Sequence, residues 1–398
     1  LTLTAIVGAD SDSEKNTSED AKIITLQSES TLALTDKAEL DEKTLTKRFK
    51  SFDNSEFVLE YSFADYDAGL SIPFKELTSL KNQLAFLLNN SIEVVPNVDV
   101  PPLDKSNKSS AKSGDKKHSM SILIADEKDF HLCDLTDADV YFKIPESLKK
   151  NCNKHIDLLK ANPRLIPWFP AVLIGKDYIE SVRILEQVKP KRIVTNNTGI
   201  AYKAYEMGIE WVAGPLLNTT NSYALLTLKE ELNCAGAFMS NEINRLQLRN
   251  IARPDDFKLH YSIYHPILMM TSRQCFFQPT VGCKKPSIED GCMLKCEKAT
   301  TIKSVRGVKY SIDKQKGGYP SIYNDEQFLN LDIVNDLPGL FDEFFIDLTN
   351  IGSGETAVED KAQLIEHFES LLQGKEEAAS NLNKMVTLST NAQYRQGL

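Results

Sequence analysis

The sequence predicts an α/β fold: a (β/α) barrel-like domain over residues 120–398 with a cysteine-rich loop at 275–296. A small α+β accessory domain over 1–100 precedes it, and a flexible linker over 101–119 joins the two. Three observations predict this. A chain of 398 residues is too long for one ordinary core. "PPLDKSNKSSAKSGDKKHS", residues 101 to 119, is nearly devoid of apolar residues and reads as linker. Beyond it, short apolar strands alternate with amphipathic helices, which implies a parallel sheet covered by helices, and about eight such units close a barrel.

Each element has a local reason. In the leading segment "LTLTAIVG" and "FVLEYSFAD" read as strands and "ELTSLKNQLAFLLNN" as a helix. That segment has no Cys or His and no catalytic constellation. After the linker, "SILIAD" and "DVYFKIP" read as strands, "ESLKKNCNKHIDLLKAN" as a helix and "LIPWFPAVLI" as a buried strand. "DYIESVRILEQVKP" is a helix with Ile179, Val182, Leu185 and Val188 expected on one face. "RIVTNN", "IEWVAGP", "CAGAFMS", "KLHYSIY" and "EFFIDLT" continue the strands. Helices fall over "GIAYKAYEMG", "NSYALLTLKEEL" and "NEINRLQLRNIA".

Chemistry in a barrel gathers where strands end. Those positions carry Pro167, Trp168, Asn196, Asn197, Asn218 to Asn221, Asn241, Glu242, His265 and Asp347. Such a rim suits a polar ligand such as a base or hydroxy-acid. Asn and Ser in "NNTGIAY", "TTNSYALL" and "SNEINRLQ" also read as helix N-caps, and the two roles are compatible.

A net charge of −10 argues against non-specific coating of nucleic acid. Locally the balance reverses: Lys284 to Lys316 holds nine Lys/Arg against four Asp/Glu, a net of +5. No apolar run has transmembrane length and no signal peptide opens the sequence, so a cytoplasmic location is expected. None of the six His opens an HExxH, and no G-x-S-x-G is present. "IGSGET", with Gly352 and Gly354, is at most a helix N-terminus able to hold a phosphate.

Four of the seven cysteines fall in "CFFQPTVGCKKPSIEDGCMLKC": Cys275, Cys283, Cys292 and Cys296, with seven, eight and three residues between them. Zinc sites usually use two tight pairs, and only the last pair qualifies. Iron–sulfur clusters tolerate irregular spacing, and Pro279, Gly282, Pro286 and Gly291 provide turns for a wrapping loop. Lys284, Lys285 and Lys295 would offset the charge of four thiolates. The spacing favours an iron–sulfur cluster, with zinc as the alternative.

Three stretches together resemble a known family: "GPLLNTTNSYALLTLKE", "SNEINRLQLRNI" and "YHPILMMTSRQCFFQPTVGCKKPSIEDGCMLKC". The order N-x-x-N-S, S-x-E, H-x-x-L-M…R-x-C and a cysteine loop ending C-x₃-C is similar to that of the collagenase-like peptidase family, the peptidase U family numbered 32. The leading segment resembles the accessory domain of its long, ribosomal-RNA-hydroxylating branch, of which this chain would be the C-terminal part. Despite the name, the resemblance implies oxygen-independent hydroxylation: of a tRNA uridine, a large-subunit ribosomal RNA cytidine or a ubiquinone precursor. It implies a [4Fe–4S] cluster on Cys275, Cys283, Cys292 and Cys296, and prephenate as hydroxyl source in the RNA-modifying branches. Cys283 falls early in the loop compared with short members.

The function expected is hydroxylation of a cytidine in large-subunit (23S) ribosomal RNA to 5-hydroxycytidine. Expected partners are ribosomal RNA or its precursor, prephenate or a related molecule, and the N-terminal portion of a longer protein, with no membrane. Asn196, Asn218, Glu242, His265 and Arg273 are the expected substrate contacts, with Trp168 offering an aromatic face. Two alternatives stand: a collagenase-like peptidase, for which no nucleophile–base pair shows in the sequence, and a non-catalytic barrel that binds RNA or a partner and carries a structural metal loop.

Overall fold

The computed structural model describes residues 1–7, 22–34, 42–49, 65, 70–90, 118–272, 274–285, 292, 300–313, 320–351 and 360–397. Arg273, Cys296, the Gly352 to Gly354 turn, the "FVLEYSFAD" strand and nearly all of the linker therefore lie outside the described residues. The chain divides into two compact units, Leu1–Pro101 and Pro102–Leu398.

In the first unit, β1 (Thr2–Val7) and β2 (Lys22–Gln27) pair antiparallel, from Thr2 opposite Gln27 to Val7 opposite Lys22. A second, two-residue pairing joins β3 (Ala33–Leu34) to β4 (Leu70–Ser71). Helices α1 (Glu42–Phe49) and α2 (Phe74–Asn90) complete it. The spacing of Leu77, Leu80 and Leu84 gives α2 one buried stripe, and Leu77 and Leu80 pack with Phe49, Ile72, Leu3 and Leu26. Glu76 in its first turn accepts from the Glu29 N–H and the Ser30 hydroxyl, at 3.2 and 3.0 Å.

The second unit is a closed barrel of eight parallel strands. Its strands are β5 (Ser119–Ile124), β6 (Asp139–Lys143), β7 (Leu165–Phe169), β8 (Arg192–Thr195), β9 (Glu210–Ala213), β10 (Gly236–Phe238), β11 (Lys258–Thr271) and, after an insertion, β15 (Glu343–Asp347). Each pairs with the next, β11 pairs with β15, and β15 pairs with β5 to close the ring. Strands buried on both faces read as apolar runs such as Met120–Ile124, as parallel sheets require.

Helices α3 (Cys152–Ala161), α4 (Lys176–Val188), α5 (Thr198–Glu206), α6 (Ser222–Leu232) and α7 (Arg245–Arg249) follow β6 to β10 in turn. The Asn caps are real: Asn197 accepts from Ile200 N at 3.1 Å, Asn221 from Ala224 N at 2.9 Å, and Asn244 forms a capping box with Gln247.

Three local expectations need correction. The helix expected over 146–162 begins only at Cys152. The strand expected over 165–174 stops at Phe169, where Pro170 removes a ladder donor. On α4, Val182, Leu185 and Val188 pack on the core but Ile179 is 63% exposed. Ser181 and Ile184 are buried instead, because Asp177 turns inward to accept the Leu148 N–H at 2.9 Å and so sets the helix's rotation.

The insertion had no counterpart in the sequence reading. β11 outruns the barrel and pairs antiparallel with β14 (Ser321–Leu329), which pairs with β13 (Lys309–Asp313), itself paired with β12 (Thr300–Lys303). A short strand, β16 (Ser389–Thr390), lies on the far side of β14. Among the described residues, five further α-helices are α8 (Phe277–Val281), α9 (Ile333–Asp336), α10 (Lys361–Leu372), α11 (Glu376–Met385) and α12 (Ala392–Gln396). Among the described residues no helix is long and apolar enough to cross a membrane.

Candidate active site at the barrel mouth

Strand alternation sends every second residue into the barrel, so each inward series reads upward in layers. At the bottom Arg192 pairs with Asp139 at 2.9 Å and with Glu210. The middle is apolar: Leu123, Tyr141, Trp168, Val194, Val212, Phe238 and Phe345, with Trp168 stacked on Phe345 at 5.1 Å. Within it, Glu343 accepts from His260 Nδ1 and from the Tyr141 hydroxyl, both at 3.0 Å. Burial alone pushes the Glu343 carboxyl up, but the His260 charge and these hydrogen bonds outweigh it and hold it at about 2.

Two residues higher the same series become polar and open into a cavity of about 210 Å³. Tyr141 is followed by Lys143, Val194 by Asn196, Phe238 by Ser240, His260 by Ser262, and Phe345 by Asp347. Trp168 lies in its floor, Pro170 to Val172 and Pro215 in its wall, and Glu146, Asn241, Glu242, His265, Thr271, Ser321, Tyr323 and Thr349 around it. The antiparallel extension thus forms part of the mouth wall.

Lys143 is the charge at the centre of this cavity. Its Nζ lies 3.5 Å from Glu146, and both side chains are largely buried. Glu146 raises the Lys143 pKa against burial, helped by Tyr323, Asp347 and Asp313, so the ammonium stays charged. Burial raises the Asp347 carboxyl, opposed by hydrogen bonds to Thr349 and by Lys143. Burial likewise pushes the Tyr323 phenol up to about 12. A fixed cation beside a carboxyl of raised pKa can hold an anionic or carbonyl group and exchange a proton with it.

His265 Nδ1 lies 2.8 Å from the Ser262 hydroxyl, and its ring stacks on Phe328 at 4.7 Å. The structure therefore does bring a hydroxyl and an imidazole together, which sequence order alone did not reveal. Although the ring is half-buried by surface and touches the cavity, its depth pushes its pKa down to about 3. It is neutral and a weak base, suited to hydrogen bonding more than to activating a nucleophile.

Asn196, Glu242 and His265 line the cavity as expected. Asn196 does so with its amide engaged: it donates to the Phe169 carbonyl at 3.3 Å and accepts from Leu216 N at 2.9 Å. Glu242 is exposed at the lip. Asn218 is an exposed turn residue at φ +56° and is not among the residues lining the cavity. A left-handed turn favours Asn for its backbone, which is why it imitates a site residue in sequence. Lys143, Glu146, Ser262 and Tyr323 were missed. The two-residue phase Asp139–Tyr141–Lys143 was the available signal, but it becomes decisive only once the barrel is closed.

Cys275, Cys283 and Cys292 are free and half-buried, and Lys285 Nζ lies 3.4 Å from Cys292 Sγ. A soft donor set beside a cation has the chemistry an iron–sulfur cluster requires. Among the described residues no three Cys, His, Asp or Glu converge into a metal group. Cys275 packs with Phe277, Ile312 and Ile322, while Ser321 and Tyr323, the neighbours of Ile322, line the cavity. By alternation the start of the cysteine segment sits on the opposite face of β14 from the mouth. Comparison with models of protein families, with curated proteins and with solved structures returns no match.

Proposed function

We propose that the barrel mouth is the active site of an RNA-modifying enzyme that hydroxylates a cytidine of large-subunit ribosomal RNA. In this reading Cys275, Cys283, Cys292 and Cys296 hold a [4Fe–4S] cluster and prephenate or a related acid provides the hydroxyl group. One observation carries it. β11 runs from the barrel interior at His260 and Ser262, past His265 and Thr271 at the cavity, and reaches Cys275 four residues later. The cysteine segment is thereby tethered to a polar, aromatic-floored mouth. A cluster on that segment, across β14 from the mouth, would supply the redox-active centre that amino-acid side chains lack.

The chain's own residues have defined tasks in this reading. Lys143 binds a carboxylate of the small acid, and Asp347 handles a proton beside it. The neutral His265, held by Ser262, hydrogen-bonds the base, and Trp168 closes the floor against water. Anaerobic purification followed by iron, sulfide and zinc quantification tests the cofactor; about four irons and four sulfides per chain are expected. Nucleoside analysis of ribosomal RNA from cells lacking the whole protein tests the reaction: an unchanged 5-hydroxycytidine content would sink it.

A second reading is favoured by the apolar packing of Cys275 with Phe277, Ile312 and Ile322. It makes the loop a structural zinc clasp on a barrel that binds RNA or a partner, and one zinc with no iron would select it. The peptidase alternative has the Ser262–His265 contact in its favour, but a histidine whose pKa is near 3 is a poor base for it. Cleavage of gelatin by metal-replete protein, beyond trace contamination, would revive that alternative.

A further inference from the structure

The β12–β13 hairpin projects a tip that the fold itself does not use. Its strands pair from Thr300 opposite Ile312 to Lys303 opposite Lys309. The turn is tight: Gly307 N donates to Ser304 O at 2.9 Å and Ser304 N donates to Val308 O at 2.8 Å. Gly307 sits at φ +83°, the left-handed position that closes a type I turn with a bulge. The Ser304 hydroxyl accepts from the N–H groups of both Arg306 and Val308. The tip is therefore preorganised, and ordering it on a ligand costs little entropy.

What this turn presents is unusual for a solvent-facing tip. Val305 is fully exposed at a position where turn residues are ordinarily polar or Gly. Lys303 and Arg306 flank it, both exposed. Lys303 stands directly opposite Lys309 across the hairpin. From Thr300 to Ile312 there is no acidic residue, in a chain of net charge −10. At its other end the hairpin is continuous with β14, which contributes Ser321 and Tyr323 to the mouth cavity.

We propose that the β12–β13 hairpin is an RNA-gripping finger, in which Lys303 and Arg306 hold the phosphates of an unpaired strand and Val305 packs against a base. The chemistry that selects RNA is the repeat of negative charge interleaved with apolar base faces, matched by cations that flank a rigid apolar residue. The finger rests on the reading of the mouth as an RNA-modifying site and names how that site's substrate is held. Such a finger would let an acidic protein hold RNA, with attraction confined to one projection of the sheet that also lines the cavity.

The test is binding of a fluorescein-labelled, unstructured RNA oligonucleotide to the full chain, read by anisotropy over a salt series. Lys303→Ser with Arg306→Ser is expected to weaken binding about tenfold or more and to make the salt slope shallower by about 1 to 1.5. Val305→Ser is expected to weaken binding about threefold with the slope unchanged. Lys303→Arg with Arg306→Lys keeps the charges and should bind as the parent does, which separates loss of contact from loss of fold. Parent-like binding by the Ser variants overturns the proposal. So does a parent that binds poly-glutamate as tightly as RNA and loses it in the same variants, since the finger would then be a dock for acidic peptides. The assay requires neither cluster nor turnover. Finger-dependent binding with unchanged 5-hydroxycytidine in cells would overturn the hydroxylation reading alone.

Discussion

Gly214 and Asn196 approach so closely at the barrel mouth that a Cβ on residue 214 would collide with the Asn196 amide. That amide bridges three strands' ends, donating to Phe169 O and accepting from Leu216 N. Gly214 is at φ −74°, so its requirement is for space and not for backbone freedom.

A double-mutant cycle follows from this contact. Asn196→Ala leaves the Leu216 N–H without its acceptor and should cost about 1–3 kcal/mol. Gly214→Ala should cost about as much through the collision. The double variant should lose clearly less than the sum, because removing the amide removes what the new methyl strikes. Urea unfolding of the four proteins measures it, and strict additivity would refute the clamp.

This clamp also shows where sequence reading succeeds and stops. The eight strands were legible because parallel strands buried on both faces are short apolar runs between amphipathic helices. Asn197 and Asn221 were legible as caps because a cap is a local motif, whereas the helix expected from Asn241 begins only after its cap at Asn244. Lys143 was not, because a lysine closing a strand looks solvated until seven other strands surround it. The β12–β14 sheet was hidden by its basic, polar composition, which reads as loop. Ile179 misled because apolar spacing alone does not fix helix rotation when a buried Asp177 sets it.

The Glu343–His260 pair predicts an acid-sensitive core. Glu343 titrates near 4.5 when unfolded and at about 2 in the folded barrel. Its stabilisation is therefore fully present above about pH 4.5 and is lost as the pH falls from there towards 2. Glu343→Gln should flatten this limb of the stability–pH curve. At neutral pH it should cost about 3–5 kcal/mol, because His260 is left without its carboxylate in a dry interior. Urea midpoints from pH 7 to 2 decide: a limb equally steep in the variant would place the acid sensitivity elsewhere.

Lys143 has the opposite pH signature. Its raised pKa keeps its contribution intact through neutral pH, and Lys143→Met withdraws the cation from Glu146 and Asp347. The Asp347 carboxyl, already raised by burial, would rise further, so the penalty grows as the pH rises through the carboxylate range. About 2–4 kcal/mol is expected at neutral pH, and less as acid protonates the Asp347 carboxyl. A penalty independent of pH would mean that Lys143 acts through the packing of its stem alone.

Six of the seven cysteines should separate into two chemical groups. Cys234 is fully buried and donates to the Gly236 carbonyl at 3.1 Å; burial pushes its thiol up to about 12, and burial does the same to Cys152. Thiols so protonated at neutral pH are poor metal ligands. Cys152→Ser and Cys234→Ala should therefore change stability by about 1–2 kcal/mol and leave bound iron unchanged. Single Ser substitutions at Cys275, Cys283, Cys292 and Cys296 should each strip most of the iron and bleach the broad absorption near about 400 nm, with the barrel's unfolding midpoint little altered. Iron content that follows Cys152 or Cys234, or is indifferent to the four clustered cysteines, would remove the cluster from the 275–296 segment.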